Sequence, residues 1–173
     1  MDGSGSTLTG TYSATGSFQQ SGSVNTALLG TYQIQYKKVD TAGNQSTIQT
    51  RTVTVTDQTN PIVILTPASI TVNYGLGYTT GSGVSWTDNN DGSGNTLAGT
   101  YGATGSFQMS GTTITTTTLP GVYTQQYQKV DAAGNQSTIA TRTITVQDTT
   151  APLVTLSGAS SLTVAQGSAY TDA

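Results

Sequence analysis

All the acid in this chain is aspartate. Its eight acidic residues are Asp without exception, its cations are five Lys and Arg, and His and Cys are absent. Without His, Cys or Glu the chain lacks the commonest general base, the thiolate nucleophile and the usual zinc ligands, which argues against an enzyme. Aspartate and asparagine oxygens suit a harder ion, since Ca²⁺ takes about six to eight oxygens from carboxylates, amides and carbonyls. Asp88-Asn-Asn-Asp91-Gly92 concentrates such donors, and Asp57, Asp131 and Asp148 stand beside turn or proline-marked segments. Asp57, Asp88, Asn90, Asp91, Asp131 and Asp148 are therefore the candidate calcium ligands, and calcium is the one cofactor these residue types suggest. The spacing is not that of an EF-hand loop, and no Glu offers a bidentate closing ligand. The same Asp and Asn residues also cap turns through their own backbone, so the two readings stand side by side.

These residues sit in a pattern that is written twice. Asp2–Gly22 (DGSGSTLTGTYSATGSFQQSG) returns as Asp91–Gly111 (DGSGNTLAGTYGATGSFQMSG), identical at seventeen of twenty-one positions. Lys38–Asp57 (KVDTAGNQSTIQTRTVTVTD) returns as Lys129–Asp148 (KVDAAGNQSTIATRTITVQD). A period of about ninety residues is too long for a solenoid unit and suits one small all-β domain. A weaker echo follows each copy: Val63-Ile64-Leu65, Thr71-Val72, Gly75 and Tyr78 against Val154-Thr155-Leu156, Thr163-Val164, Gly167 and Tyr170. With Pro61 and Pro152 opening modules, three units are expected: 2–60, a partial module without its early strands; 61–148, a complete module; and 149–173, the first strands of a further one. Met1 falls in mid-repeat. That register fits a piece of a longer protein, or a split domain completed by strands from a neighbouring chain.

Alternation shows how the chemistry is aimed. Gly121–Asp131 puts Tyr123, Gln125, Tyr127, Lys129 and Asp131 on one face, as the first copy does Tyr32, Ile34, Tyr36, Lys38 and Asp40. AAGN (132–135) and TAGN (41–44) supply turns, and a return strand places Ala140, Arg142, Ile144, Val146 and Asp148 on one face. Further strands are expected at 62–65, 69–74, 83–88, 107–110 and 112–117, with 92–105 a glycine-rich loop or irregular hairpin. About seven short strands between turn signals make a Greek-key β-sandwich, with Trp86, Tyr123, Tyr127, Ile144 and Val146 in one core. Lys38 and Lys129 point inward with the tyrosines. A buried ammonium is costly, so each must snorkel, be consumed chemically or find a partner: Asp88 or Asp131 for Lys129, and Asp40 or a residue supplied by another chain for Lys38.

Composition excludes several partners. Charged residues make up 8% of the chain, against about a quarter in ordinary soluble domains, and the net charge is −3. Five cations cannot neutralise a phosphate backbone, so nucleic acid is not expected as a partner. No apolar run reaches membrane-spanning length, so no membrane insertion is expected within this segment.

D-x-T-x-P at the joint, V-x-x-G-x-x-Y-T, G-x-Y-x-x-x-Y-x-x-x-D-x-A-G-N and R-T-x-x-V-x-D resemble bacterial immunoglobulin-like (HYR-like) repeats of surface proteins and adhesins. The resemblance covers 61–148 and both partial units. It departs from the family pattern in the Gly/Ser insertion at 93–105, and in Lys38 and Lys129, which stand where an inward valine is usual. It implies tandem immunoglobulin-like sandwiches on the cell surface or outside the cell, in a structural or adhesive repeat. The partners it implies are adjacent repeats of a longer protein; the register of the repeat adds the alternative of other copies of the chain, joined head-to-tail by strand complementation. The alternative it allows is an adhesin that recognises carbohydrate or protein through the 93–105 loop. Some surface domains of this kind crosslink an inward Lys to Asn or Asp with a buried acid assisting. The resemblance therefore makes Lys38, Lys129 and Asp88 candidates for a crosslink or a buried ion pair.

Overall fold

The computed structural model describes residues 7–171; Met1, Asp2, Asp172 and Ala173, at the outer edges of the expected units, lie outside the described residues. The alternating pattern is realised as strands, with no helix among the described residues. They are β1 (Phe18–Ser21), β2 (Gly30–Lys38), β3 (Gln49–Val55), β4 (Ile62–Leu65), β5 (Ser69–Asn73), β6 (Val84–Asp88), β7 (Gly92–Gly94), β8 (Phe107–Gly111), β9 (Gly121–Lys129) and β10 (Ala140–Gln147).

Residues 62–147 build two sheets, ordered β5-β10-β9-β8 and β4-β6-β7. β4 pairs antiparallel with β6; the chain then crosses at 66–68, and β5 pairs parallel with β10 in the other sheet. Val84 from one sheet meets Phe107 and Tyr127 from the other, so the two sheets enclose a core. The result is an immunoglobulin-like β-sandwich. A third sheet, β1-β2-β3, is the counterpart of β8-β9-β10 and keeps its register: Phe18↔Lys38 repeats Phe107↔Lys129, and Ile34↔Arg51 repeats Gln125↔Arg142.

The recurrence is encoded locally. Gly22 and Gly111, at the ends of β1 and β8, have φ of 90° and 106°. A Cβ there would stand 2.5 Å from the carbonyl oxygen of Gln33 or Thr124, so only glycine admits the neighbouring strand. The turns match as well. Asn44 donates its N–H and side-chain amide to the two carboxylate oxygens of Asp40, at 2.7 and 2.8 Å, and Asn135 does the same to Asp131 at the same distances.

Three expectations are corrected. The core is two clusters, not one: Val84, Phe107 and Tyr127 with Trp86 packed against them, and Ile114, Ile144 and Val146 with Tyr123. The cross-strand partners Gln125 and Arg142, both fully buried, divide them, because Gln125 falls between Tyr123 and Tyr127 on the inner face of β9. Residues 112–117 form no strand. The Thr115 N–H bonds to Thr118 Oγ1 at 2.8 Å, and its hydroxyl lies 3.1 and 3.2 Å from those of Thr117 and Thr118, so the threonines turn the chain on their own oxygens while Ile114 enters the core. The described residues 149–171 also form no strand. Leu153 and Val154 are 91% and 85% exposed, as strands without a sheet to pair with must be.

Candidate metal centre at the joint between the copies

β3 ends at Val55, and the chain then turns on Asp57, whose Oδ1 accepts the Thr59 N–H at 3.0 Å. That turn is tied to two loops of the following copy. Asn89 Nδ2 donates to Thr59 Oγ1 at 3.0 Å, and Asn135 Nδ2 donates to the Asp57 carbonyl at 3.2 Å. Asp88 closes β6, and its Oδ1 accepts the N–H groups of Asn90 and Asp91 at 2.8 and 2.9 Å. Asp131, fully buried, follows β9 and spends both oxygens on Asn135.

These three turns converge. Carboxylate oxygens of Asp57, Asp88 and Asp131 all lie within 4.8 Å of one another. Turn capping engages Asp57 Oδ1, Asp88 Oδ1 and both oxygens of Asp131, and leaves Asp57 Oδ2 and Asp88 Oδ2 buried without a hydrogen-bond partner. An unsatisfied buried group costs about 1–3 kcal/mol, more when charged, and like charges this close repel. Capping therefore explains part of the cluster and leaves its most costly atoms unexplained. A hard divalent cation fits them: an ion about 2.4 Å from each of several oxygens holds those oxygens at such separations. The backbone N–H of Asp91, the largest cause, holds the Asp88 carboxyl below its ordinary 3.8 against the opposing effect of burial, keeping it in the form that ligates.

Three of the six candidate ligands thus meet. Asn90 is exposed and offers its N–H to Asp88. Asp91 faces Lys129 and the N–H of Ala132, which it accepts at 2.9 Å. Asp148 is exposed at the far end of β10, where it accepts the Thr150 N–H in the same turn that Asp57 makes with Thr59.

Lys129 finds Asp91 at 3.4 Å instead of the expected Asp88 or Asp131. The reason is local, since both of those carboxylates are drawn into their own turns and the joint. Its ammonium also lies 3.4 Å from the Gly105 carbonyl and 4.3 Å from the centre of the Trp86 ring. Lys38 makes the equivalent contact with the Gly16 carbonyl, at 3.4 Å.

A second buried cation has no place among the residues singled out by sequence. Arg142 donates from Nε to the Pro67 carbonyl and from Nη2 to the Gly83 carbonyl, each at 3.1 Å. Its Nη1 donates to the Tyr78 hydroxyl and the Ser82 carbonyl. Arg142 thereby clamps the 66–83 segment, which carries β5, onto β10. The available signal was an Arg at an inward position in both copies. Beside the 93–105 loop, Phe107 is buried edge-on against Trp86, and within the loop the Tyr101 hydroxyl is buried, so neither offers an exposed aromatic platform.

Comparison with known proteins agrees with this architecture. Residues 3–55 match the family described as bacterial surface protein, Ig-like domain, and residues 90–148 match the one described as bacterial Ig-like domain. No curated protein matches the chain. The matched segments fall within the two copies of the repeat, so these two segments are bacterial immunoglobulin-like domains, the first of the surface-protein kind. No helix among the described residues is long and apolar enough to cross a membrane.

Proposed function

We propose that the chain is a load-carrying spacer of a bacterial cell-surface or extracellular filament protein, and that its repeats are coupled by calcium at the joint. The observation that carries this reading is the position of Asp57. It belongs to the segment leaving one copy, yet it is buried beside Asp88 and Asp131 of the next, with one oxygen lacking a partner. A cation bound there supplies positive charge to three carboxylates drawn from both sides of the joint, which restrains the angle between the copies. Adjacent repeats, or other copies of the chain, complete the module on either side, giving a head-to-tail filament. Asp148 is the residue that would serve the next joint.

The test is thermal unfolding of the full chain in calcium and in chelator. At free Ca²⁺ about a hundredfold above Kd, linkage adds about 2.7 kcal/mol to the folded state, a rise of at least about 5 °C in Tm. Asp57→Asn keeps the cap on Thr59 and should abolish most of that rise without lowering the calcium-free Tm. Equal Tm values with and without calcium would leave the aspartates as turn caps alone.

A further inference from the structure

In residues 62–147 the edge of β10 is covered by β5, in parallel register Ile144↔Ile70, Thr145↔Thr71 and Val146↔Val72. The counterpart edge, that of β3, carries no strand among the described residues. The inner face beside it is open too. Arg51, counterpart of the fully buried Arg142, is exposed with its guanidinium over the Tyr36 ring at 5.5 Å. It borders an open cavity of about 410 Å³ lined by Leu8, Phe18, Gln20 and Tyr36.

The chain also carries the piece that fits. Leu153-Val154-Thr155-Leu156 repeats the pattern of β4, and Leu162-Thr163-Val164 that of Ile70-Thr71-Val72 in β5. Tyr170 then follows at the position of Tyr78, the hydroxyl that receives Arg142. Leu156, Leu162 and Tyr170 are 68%, 61% and 58% exposed, and no strand forms there. One end of the molecule thus has an unpaired sheet edge beside an unclamped arginine. The other has an unpaired segment with the sequence pattern of β4 and β5, and a tyrosine at the matching position.

Resting on the filament reading above, we propose that residues 153–171 of a second copy dock on β1-β2-β3. Residues 162–164 would add as a parallel strand to β3 in the register Val53↔Leu162, Thr54↔Thr163 and Val55↔Val164, and Arg51 would donate to the Tyr170 hydroxyl and to the carbonyls around it. The contact is heterologous: each copy gives one end and receives at the other, so it propagates rather than closing into a dimer.

Because the chain contains no cysteine, introduced thiols report the register directly. The full chain carrying T54C and T163C, oxidised over a concentration series, is expected to give a ladder of disulfide-linked dimers and higher multimers that collapses on reduction. Adding Arg51→Ala should cut the ladder yield severalfold at equal concentration. The pair T54C and V164C, one position out of register and aimed at the opposite face, should give little. A product that stays monomeric, with or without an internal disulfide, or equal ladders from both pairs, would overturn the proposal. These readouts do not involve Asp57, Asp88 or Asp131. Failure of the ladder with calcium-dependent stability intact would therefore sink the strand exchange and leave the joint standing.

Discussion

The same hairpin appears twice in this molecule, once under cover and once bare. β9 and β10 share turn, register and most side chains with β2 and β3, yet Tyr127 and Arg142 are fully buried whereas Tyr36 is half-buried and Arg51 exposed. What differs is the company. β4, β6 and the clamped 66–83 segment lie over the second copy, and nothing among the described residues takes that position over the first. Strand identity is therefore a local property of this sequence, and burial is a property of the neighbours a strand is given.

Equivalent substitutions in the two copies should expose that difference, most strongly at the arginines. Arg142→Ala removes the clamp on the Pro67, Ser82 and Gly83 carbonyls and the Tyr78 hydroxyl and leaves a cavity between the two core clusters. It should cost about 4 kcal/mol in chemical denaturation, whereas Arg51→Ala in dilute protein should change stability by about 0.5 kcal/mol or less. Equal costs would mean that the first copy is covered as well.

The lysines give the next contrast. Lys129→Met leaves Asp91 in a largely buried site without its cation, and breaking such a pair costs about 3 kcal/mol. Lys38→Met, in the less covered copy, should cost well under half as much. Intact mass belongs with this experiment, because a crosslink at either lysine removes one water or one ammonia. The ion pair seen at Lys129 predicts the unmodified mass.

The smallest effect is in pH, at one turn carboxyl from each copy whose folded value is depressed. Asp40 is held below its ordinary 3.8 first by the Asn44 side-chain amide, and Asp88 first by the Asp91 N–H. A carboxyl whose folded value is depressed contributes stability that is complete above the unfolded value and is lost as pH falls through the folded one. In chelator, their contribution to Tm should be constant from neutrality down to the ordinary carboxylate range and decline only below 3.8. Carboxyl NMR titrations of Asp40 and Asp88 with midpoints above that value would contradict the hydrogen-bond geometry.

Much of this architecture was legible in the residues. Period-two alternation placed Tyr123, Tyr127, Ile144 and Arg142 on the buried face, and Pro61 and the glycines marked where strands begin and end. The Thr112–Thr117 run misled, because β-branched residues fit a strand while their hydroxyls also fold a turn, and alternation cannot separate the two. The six candidate ligands all belong to oxygen-rich turns or joints. Which three converge depends on how the crossing at 66–68 and the Asn135 side chain bring distant turns together, and no local spacing records that. The Asp91–Lys129 pair was hidden for the same reason, since it joins the turn after β6 to the end of β9 in the other sheet.

The aspartate joint is best tested by calorimetric titration of Ca²⁺ into the full chain and into its Asp57→Asn, Asp131→Asn and Asp148→Asn variants. The account predicts a single site per chain, lost in Asp57→Asn and Asp131→Asn and unchanged in Asp148→Asn, because only the first two share the cluster within one molecule. Absence of binding heat, or binding that survives Asp57→Asn, would contradict a cation that couples one repeat to the next.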